Sequence, residues 1–383
     1  MKRALTEIIL ADLPHKIILL SGPRQTGKTT LSKSLNPHAV YLNYDEADDR
    51  FVIAQKAWNP DTPLIIFDEL HKMPEWKRWL KGLYDTRGIP PQVIVTGSAK
   101  LDTYRKVGDS LAGRYFAYRL HPFDIQEVGL EVPAAEAFGR LLNFGGFPEP
   151  FLKNEQDYYG RWARTHQDII LRQDMLDLER ITDIPAIERL IDLLSRRVGS
   201  TVSYGNLAND LERDPKTIKR WITCLEDLYI IFSVRPFNRK IARAHLQQPK
   251  YYFYNTASVK GDFGAKFENL VACALLKEVH WQQDTRGSSH DLCFLRTKDG
   301  VEIDFAIIEN DSPALMIECK WSDQSIAPAF RHFRQFFPEI SAIQLIGSGL
   351  SRALYYPEMD LKCCPASEWL TKLREEAAFV RKK

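Results

Sequence analysis

The chain has 383 residues, 44% of them hydrophobic and 27% charged, and a formal net charge of +2. That length is more than one core usually serves and predicts about two to four domains of ordinary soluble globular composition. So small a net charge excludes a chain-wide basic surface, and any basic surface for nucleic acid must be local. The six cysteines, at 224, 273, 293, 319, 363 and 364, form no C-x-x-C pair and no zinc-like grouping with the nine histidines. With no secretory signal or transit peptide at Met1-Lys-Arg-Ala-Leu5, reduced thiols and a cytoplasmic location are expected. No apolar run approaches the length of a membrane span, and there is no internal repeat or low-complexity tract.

In chain order, the first informative stretch is Gly22-Pro-Arg-Gln-Thr-Gly-Lys28-Thr29, which fits the phosphate-loop pattern G-x-x-x-x-G-K-[ST] without a mismatch. It follows the apolar run Ile17-Ile-Leu-Leu20, which reads as a buried parallel strand, and opens onto Thr29-Thr-Leu-Ser-Lys33, which can continue as a helix. Gly22 and Gly27 let the backbone curl until successive N–H groups point inward as an anion cradle at a helix start. Lys28 can then reach the β- and γ-phosphates, and the Thr29 hydroxyl is a Mg²⁺ ligand. Gly22, Pro23, Arg24, Gln25, Thr26, Gly27, Lys28, Thr29 and Thr30 are accordingly the expected contacts of an ATP.

Ala39-Val-Tyr-Leu-Asn-Tyr44 has strand composition and ends at the acidic group Asp45, Glu46, Asp48 and Asp49. Pro63-Leu-Ile-Ile-Phe-Asp68-Glu69 is an apolar strand delivering two carboxylates, the Walker B arrangement. Asp68 would hold Mg²⁺ through water and Glu69 would polarise the attacking water. An acidic helix start after a buried strand is the competing reading. A third strand, Gln92-Val-Ile-Val-Thr96, ends in Gly97-Ser98; Thr96 and Ser98 both stand where nucleotide-hydrolysing folds of the AAA+ kind sense the γ-phosphate.

The loop, the Phe67-Asp-Glu strand, the Thr96-Gly-Ser strand, the pair Gly113-Arg114 and the later Gly145-Gly-Phe-Pro-Glu149 together resemble the bacterial and archaeal AAA-type ATPases that carry a domain of unknown function on their C-terminal side. The resemblance runs in order over nearly the whole chain. It implies a P-loop ATPase domain over 1–130. By analogy with that superfamily, it also makes Arg114 an arginine finger acting across the boundary of a homo-oligomer. A surface arginine after a turn glycine is the alternative.

From 131 to 197 apolar residues recur at three- and four-residue steps, as in Phe138-Gly-Arg-Leu-Leu142 and Ala186-Ile-Glu-Arg-Leu-Ile-Asp-Leu-Leu194, and predict a helical lid or connector. From 198 to 256 a winged helix is expected. Ser203-Tyr-Gly-Asn-Leu-Ala-Asn-Asp-Leu211 is a short helix, and Asp214-Pro215 caps the next. That second helix carries Ile218, Trp221, Ile222, Leu225 and Leu228 on one stripe and Lys216, Lys219, Arg220 and Thr223 on the other face. The strand Tyr229 to Val234, the basic stretch with Arg235, Arg239, Lys240 and Arg243, and Lys250-Tyr-Tyr-Phe-Tyr254 complete a hairpin with a basic tip. Phosphate contacts from Lys216, Lys219, Arg220, Arg239 and Lys240 make DNA the expected partner; a module that only packs or contacts protein is the alternative.

From 257 to 383 a second small α/β domain is expected. Gly264-Ala-Lys-Phe-Glu268 begins a helix, and three strand-like runs follow, Asp291 to Leu295, Val301 to Ile308 and Ala314 to Trp321. Strand side chains alternate faces, so Glu302 and Asp304 share one side and Glu318 and Lys320 share another. Two adjacent strands could present Asp304, Glu318 and Lys320 together. Carboxylate oxygens suit Mg²⁺, and a neighbouring lysine can orient or deprotonate a water for phosphodiester cleavage. The set resembles the PD-(D/E)xK nuclease core, most closely its Holliday-junction-resolvase-like branch, in which a glutamate on the first helix adds a ligand; Glu268 takes that place. The implied metal ligands are Glu268, Asp304 and Glu318. Alternating charges on a solvated strand face, and a nuclease-like fold that binds without cutting, remain open beside it.

The expected fold class is therefore α/β throughout: a P-loop parallel-sheet ATPase, a helical connector with a winged helix, and a nuclease-like domain. The expected function is an ATP- and Mg²⁺-dependent ATPase whose nucleotide state controls a DNA-binding module. That module either cuts DNA or serves as a non-cutting regulatory platform.

Overall fold

A computed structural model describes residues 1–98, 111–175, 183–238 and 247–375. The chain divides into two units, Met1–His121 with Asp227–Tyr229, and Pro122–Glu226 with Ile230–Lys383.

In the first unit five strands, β1 (Ile17–Ser21), β2 (Val40–Asn43), β3 (Leu64–Asp68), β4 (Gln92–Gly97) and β5 (Tyr115–Arg119), form an all-parallel sheet in the order β2-β3-β4-β1-β5. A parallel sheet is covered on both faces, which is why β3 and most of β1 and β4 are unbroken buried runs with no polar alternation. The helices of this unit are α1 (Thr6–Asp12), α2 (Lys28–Ser34), α3 (Ala47–Gln55) and α4 (Trp76–Arg87). On one face Trp58, Phe67 and Trp79 meet edge to face, with centroids 5.4 to 6.4 Å apart, over a core that includes Ile65, Leu80 and Val95. The register aligns Leu20 with Thr96 and Thr96 with Asp68, so the carboxyl ends of β1, β4 and β3 finish level. Everything the loop needs is thereby delivered to one edge of the sheet.

The second unit begins with helices α5 (Ile125–Val128), α6 (Ala134–Phe144), α7 (Pro148–Lys153), α8 (Gln156–Ile169) and α9 (Ile184–Ser195). Gly145 ends α6 at φ +70°, with no room for a side chain against Asn255. Next come α10 (Tyr204–Leu211), capped by Ser203, and α11 (Pro215–Asp227), with the expected proline at its first position. Ile218, Trp221, Ile222 and Leu225 are buried, as the stripe requires, while Lys216, Lys219, Arg220 and Thr223 are exposed.

The hairpin of β6 (Ile231–Pro236) and β7 (Lys250–Phe253) is not confined to the helix pair. Arg235 and Pro236 pair in parallel with Cys293 and Phe294 of β8 (His290–Arg296), which joins the hairpin to the last sheet. That sheet contains β9 (Glu302–Glu309), β10 (Ser312–Lys320), β11 (Ser341–Ile346), β12 (Leu354–Tyr356) and β13 (Leu361–Pro365). Its order is β12-β13-β11-β10-β9-β8-β6-β7, eight strands of mixed direction. Helix α12 (Phe263–Arg286), capped by Asp262 at the Ala265 N–H (2.9 Å), lies against it. An edge strand needs its backbone satisfied. The buried Asn269 amide of α12 does this for β7, accepting from Phe253 N (2.7 Å) and donating to Phe253 O (2.9 Å). Helices α13 (Ala329–Arg334) and α14 (Ala366–Thr371) follow, and residues 376–383 lie outside the described residues. No helix among the described residues is long and apolar enough to cross a membrane.

Gly22 sits at φ +151°, and a Cβ there would run into Leu120 O, next to the Leu120 N–H that donates to Ser21 O (2.8 Å). Gly22→Ala is expected to destabilise the first unit by about 2 kcal/mol, through steric clash and backbone strain, and to lower its Tm by about 5 °C or more. Calorimetry of the purified variant checks this.

Candidate nucleotide site and carboxylate cluster

The loop between β1 and α2 adopts the conformation its sequence anticipates. Gln25 and Gly27 lie in the left-handed region, at φ +63° and +90°, and α2 starts at Lys28. Thr26 is fully buried and its hydroxyl donates to Pro23 O (2.8 Å), closing the loop on itself. The Lys28 ammonium is folded inward, donating to Gly22 O (2.9 Å) and Pro23 O (2.8 Å). It thus rests on the backbone of the loop whose phosphates it would meet. Arg3, which the sequence reading passed over, braces the loop from behind by donating to Thr26 O (2.9 Å) and to His121 O. Gln25 and Thr30 are exposed and Arg24 is half-buried.

Asp68 ends β3 almost fully buried and is held by three hydroxyls. Thr29 (3.0 Å) and Tyr41 (2.7 Å) donate to one carboxylate oxygen and Thr96 to the other. Tyr41, on β2, was not anticipated as a site residue. Its pKa is raised, by burial first and then by Asp68, so it stays a donor, and Lys33 lies over its ring at 3.7 Å. The Thr96 hydroxyl, at 0% exposure, is committed to Asp68. Ser98, at the tip of β4, uses its backbone N–H to hold Glu69 Oε1 (3.2 Å).

Glu69 follows at φ +55°, with its own N–H bonded to Thr96 O (2.9 Å). Its other oxygen, Oε2, is buried with no hydrogen-bond partner among the described residues, 3.5 Å from His71 Nε2. Burial pushes the His71 imidazole down to about 4, with Lys72 adding to this, so the contact is not an ion pair. Burial and then Asp68 raise the Glu69 carboxyl, while Lys72 and Lys28 oppose them. A buried carboxylate oxygen without a donor is where a water could be held and polarised.

Thr29 and Asp68 offer adjacent oxygens of the kind Mg²⁺ takes directly or through water, so the residues present fit that ion. When bound, Mg²⁺ would neutralise phosphate charge. Arg114 lies elsewhere: its carbonyl accepts from Ile17 N at the start of β1, the opposite end of the sheet from the loop. Its guanidinium is bidentate to Asp85 (2.6 and 3.1 Å).

The second unit brings Glu268, Asp304, Glu318 and Lys320 together. Asp304 and Glu318 interlock across β9 and β10: Asp304 N donates to Glu318 Oε2 (3.3 Å) and Cys319 N to Asp304 Oδ2 (2.9 Å). Lys320 pairs with Glu318 at 3.0 Å. Glu268 reaches in from α12 and accepts from Tyr252 OH (2.7 Å). Gly199, at φ +80°, lies so close to this carboxylate that a Cβ would fall 2.5 Å from Glu268 Oε2.

Lys250 of β7, read from sequence only as the start of an aromatic strand, occupies the centre. Its ammonium lies 2.6 Å from Glu302, 3.4 Å from Glu268 and 3.7 Å from Asp304, and the residue is 1% exposed. Burial would lower its pKa, but Glu268, Asp304 and Glu302 outweigh that and raise it. Burial raises Glu268 and Glu318, in both cases with Asp304 as the next cause. Among the described residues no group of three or more His, Cys, Asp and Glu side chains could hold a metal ion. The residues expected as ligands, Glu268, Asp304 and Glu318, gather here, and a lysine stands among them. The signal available in the sequence was a cation and a tyrosine, Lys250 and Tyr252, on the same face of one strand.

Of the residues expected to meet DNA, Lys216, Lys219 and Arg220 are exposed along α11, and Arg239 and Lys240 lie outside the described residues.

Residues 14–129 match a family described as an AAA domain, and residues 135–260 and 263–355 match two domains of unknown function, DUF8612 and DUF4143. Uncharacterized proteins of Mycobacterium bovis and Mycobacterium tuberculosis are each 27% identical over 244 residues, covering 63% of this chain and 54% of theirs. The chain thus spans about half the length of these relatives. An uncharacterized protein of Methanocaldococcus jannaschii is 23% identical over 350 residues, covering 81% of this chain and 76% of its own. Among solved structures, a Thermotoga maritima RuvB variant aligns at 14% identity and a TM-score of 0.32, over 59% of this chain and 86% of its own. A Pyrococcus horikoshii signal transduction ATPase with numerous domains aligns at 12% and 0.24, over 75% and 48%. Scores this low carry no argument about the fold. The chain joins an AAA-type P-loop ATPase domain, which implies ATP as ligand with Mg²⁺ its typical companion, to two domains of unknown function.

Proposed function

We propose that the chain is a Mg²⁺-dependent ATPase whose nucleotide state governs a DNA-contacting module that does not cut. The observation that carries the ATPase part is the pairing of Asp68, clamped by Thr29, Tyr41 and Thr96, with Glu69, whose buried Oε2 has no hydrogen-bond donor among the described residues. In this reading Lys28 turns from the loop carbonyls to the β- and γ-phosphates, Asp68 and Thr29 face the cation, and Glu69 orients the attacking water. Ser98 stands beside the terminal phosphate. Thr96 acts at one remove, by fixing Asp68.

Support for DNA contact comes from the exposed basic face of α11, a helix-turn-helix second helix carrying Lys216, Lys219 and Arg220. Support for the non-cutting reading comes from the lysine within the carboxylate cluster. Arg114 stands at the far end of its own sheet, paired with Asp85, so as an arginine finger it would serve a neighbouring subunit's nucleotide, and a homo-oligomer is part of the proposal. The six free cysteines suit a reducing compartment, and the cytoplasm is the proposed location.

Glu69→Gln should lower ATP turnover about 10²- to 10⁴-fold while leaving nucleotide binding intact; unchanged turnover would sink the assignment. The double substitution Lys216→Ala with Lys219→Ala should weaken DNA binding and reduce the salt slope of log K by about 2. An unaltered slope, measured by anisotropy over a salt series, would remove α11 from the interface.

A further inference from the structure

We infer that Lys250 is a tethered cation that takes the place of a divalent metal in the carboxylate cluster, and that its removal would open a metal site there. The inference rests on the non-cutting reading and explains it. It does not depend on the ATP or DNA assignments.

Four carboxylates converge at this point of the second unit, Glu268 from α12, Glu302 and Asp304 from β9 and Glu318 from β10. Four carboxylates this close together, one buried and three half-buried, repel one another unless a cation lies among them. A divalent ion could meet that demand with oxygen ligands drawn from several elements. Here the demand is met from within the chain. Lys250 Nζ reaches Glu302, Glu268 and Asp304, one on α12 and two on β9, which is the bridging role a metal would have. Lys320 compensates the fourth, Glu318.

The position of Lys250 is enforced by its backbone. Lys250 pairs with Val234 within the hairpin and forms a bridge to Thr201, and Pro249 O accepts from Val202 N (2.9 Å). Below the ammonium lies the Phe294 ring, 5.4 Å to its centroid, and Tyr252, two residues on and on the same face, donates to Glu268. Gly199 closes the Glu268 side. The backbone of Lys250 is therefore held by Val234 and Thr201, and its ammonium by Glu302, Glu268 and Asp304 above the Phe294 ring. A Mg²⁺ entering the cluster would bring two positive charges into contact with a third that is held in place.

The test uses the full-length, nucleotide-free chain and Mn²⁺ as probe, followed by paramagnetic resonance and by thermal shift. Wild type should hold no Mn²⁺ that Asp304→Asn removes. Lys250→Met, which keeps length and loses charge, should gain one Mn²⁺ per chain and a Mn²⁺-dependent rise in Tm, and both should vanish in the double variant with Asp304→Asn. A folded Lys250→Met that gains no Mn²⁺ overturns the inference while leaving the non-cutting reading in place. If Lys250→Met does not fold, wild type decides: Mn²⁺ bound and lost with Asp304→Asn overturns the inference, and its absence up to millimolar Mn²⁺ supports it. DNA cleavage by wild type with Mg²⁺, lost in Asp304→Asn, would sink the non-cutting reading and the inference together.

Discussion

A carboxylate carried into a protein interior must be met by donors or by positive charge, and that constraint shapes the functional regions of both units. Asp68 ends a fully buried strand, and the neighbouring elements answer it with hydroxyls from Thr29, Tyr41 and Thr96. Hydroxyls satisfy lone pairs without adding charge. The negative charge is therefore left available to a cation beside the phosphate loop. In the second unit the carboxylates are answered instead by an ammonium, Lys250, with Tyr252 and two backbone N–H groups in support. The kind of partner decides the chemistry. Among the described residues, one site leaves a carboxylate's charge unmatched by a cation, and the other already contains an ammonium.

The sheet order serves the first arrangement. Because β4 lies between β1 and β3, Thr96 stands in the same row as Leu20 and Asp68 and can reach across to the carboxylate. Glu69, one residue beyond the strand, turns back through a left-handed backbone and is steadied by Ser98 N. A glutamate at φ +55° carries a local cost of order 1 kcal/mol or more. The surrounding hydrogen bonds offset it and aim the side chain at the loop edge of the sheet.

The second arrangement depends on the hairpin β6–β7 extending the last sheet and not standing apart with its helix pair. That extension carries Lys250 against α12, with its ammonium reaching Glu302 and Asp304 of β9. Desolvating an ammonium costs several kcal/mol and is tolerable only with close anionic partners. Glu302, Glu268 and Asp304 provide them, and Asn269 seals the strand edge from the same helix that supplies Glu268.

The phosphate loop, the strand ending in Asp68-Glu69, the helix pair Tyr204–Leu211 and Pro215–Asp227 with exposed basic residues on the second, and the gathering of Glu268, Asp304, Glu318 and Lys320 were all legible in the sequence. Each is set by short-range chemistry, a glycine that permits a left-handed turn, an apolar run that demands burial, or an alternation that puts side chains on one face. Arg3, Tyr41, Gly199 and Lys250 were not legible. Each acts on a residue distant in the chain: Arg3 on Thr26, Tyr41 on Asp68, Gly199 on Glu268, and Lys250 on Glu268, Glu302 and Asp304. The sequence by itself determined which groups could bear charge and which backbone turns could form. Only the tertiary structure decided what stands opposite each buried charge, because the energy of a charge depends on partners within a few ångströms, and the packing of helices and strands brings those partners there.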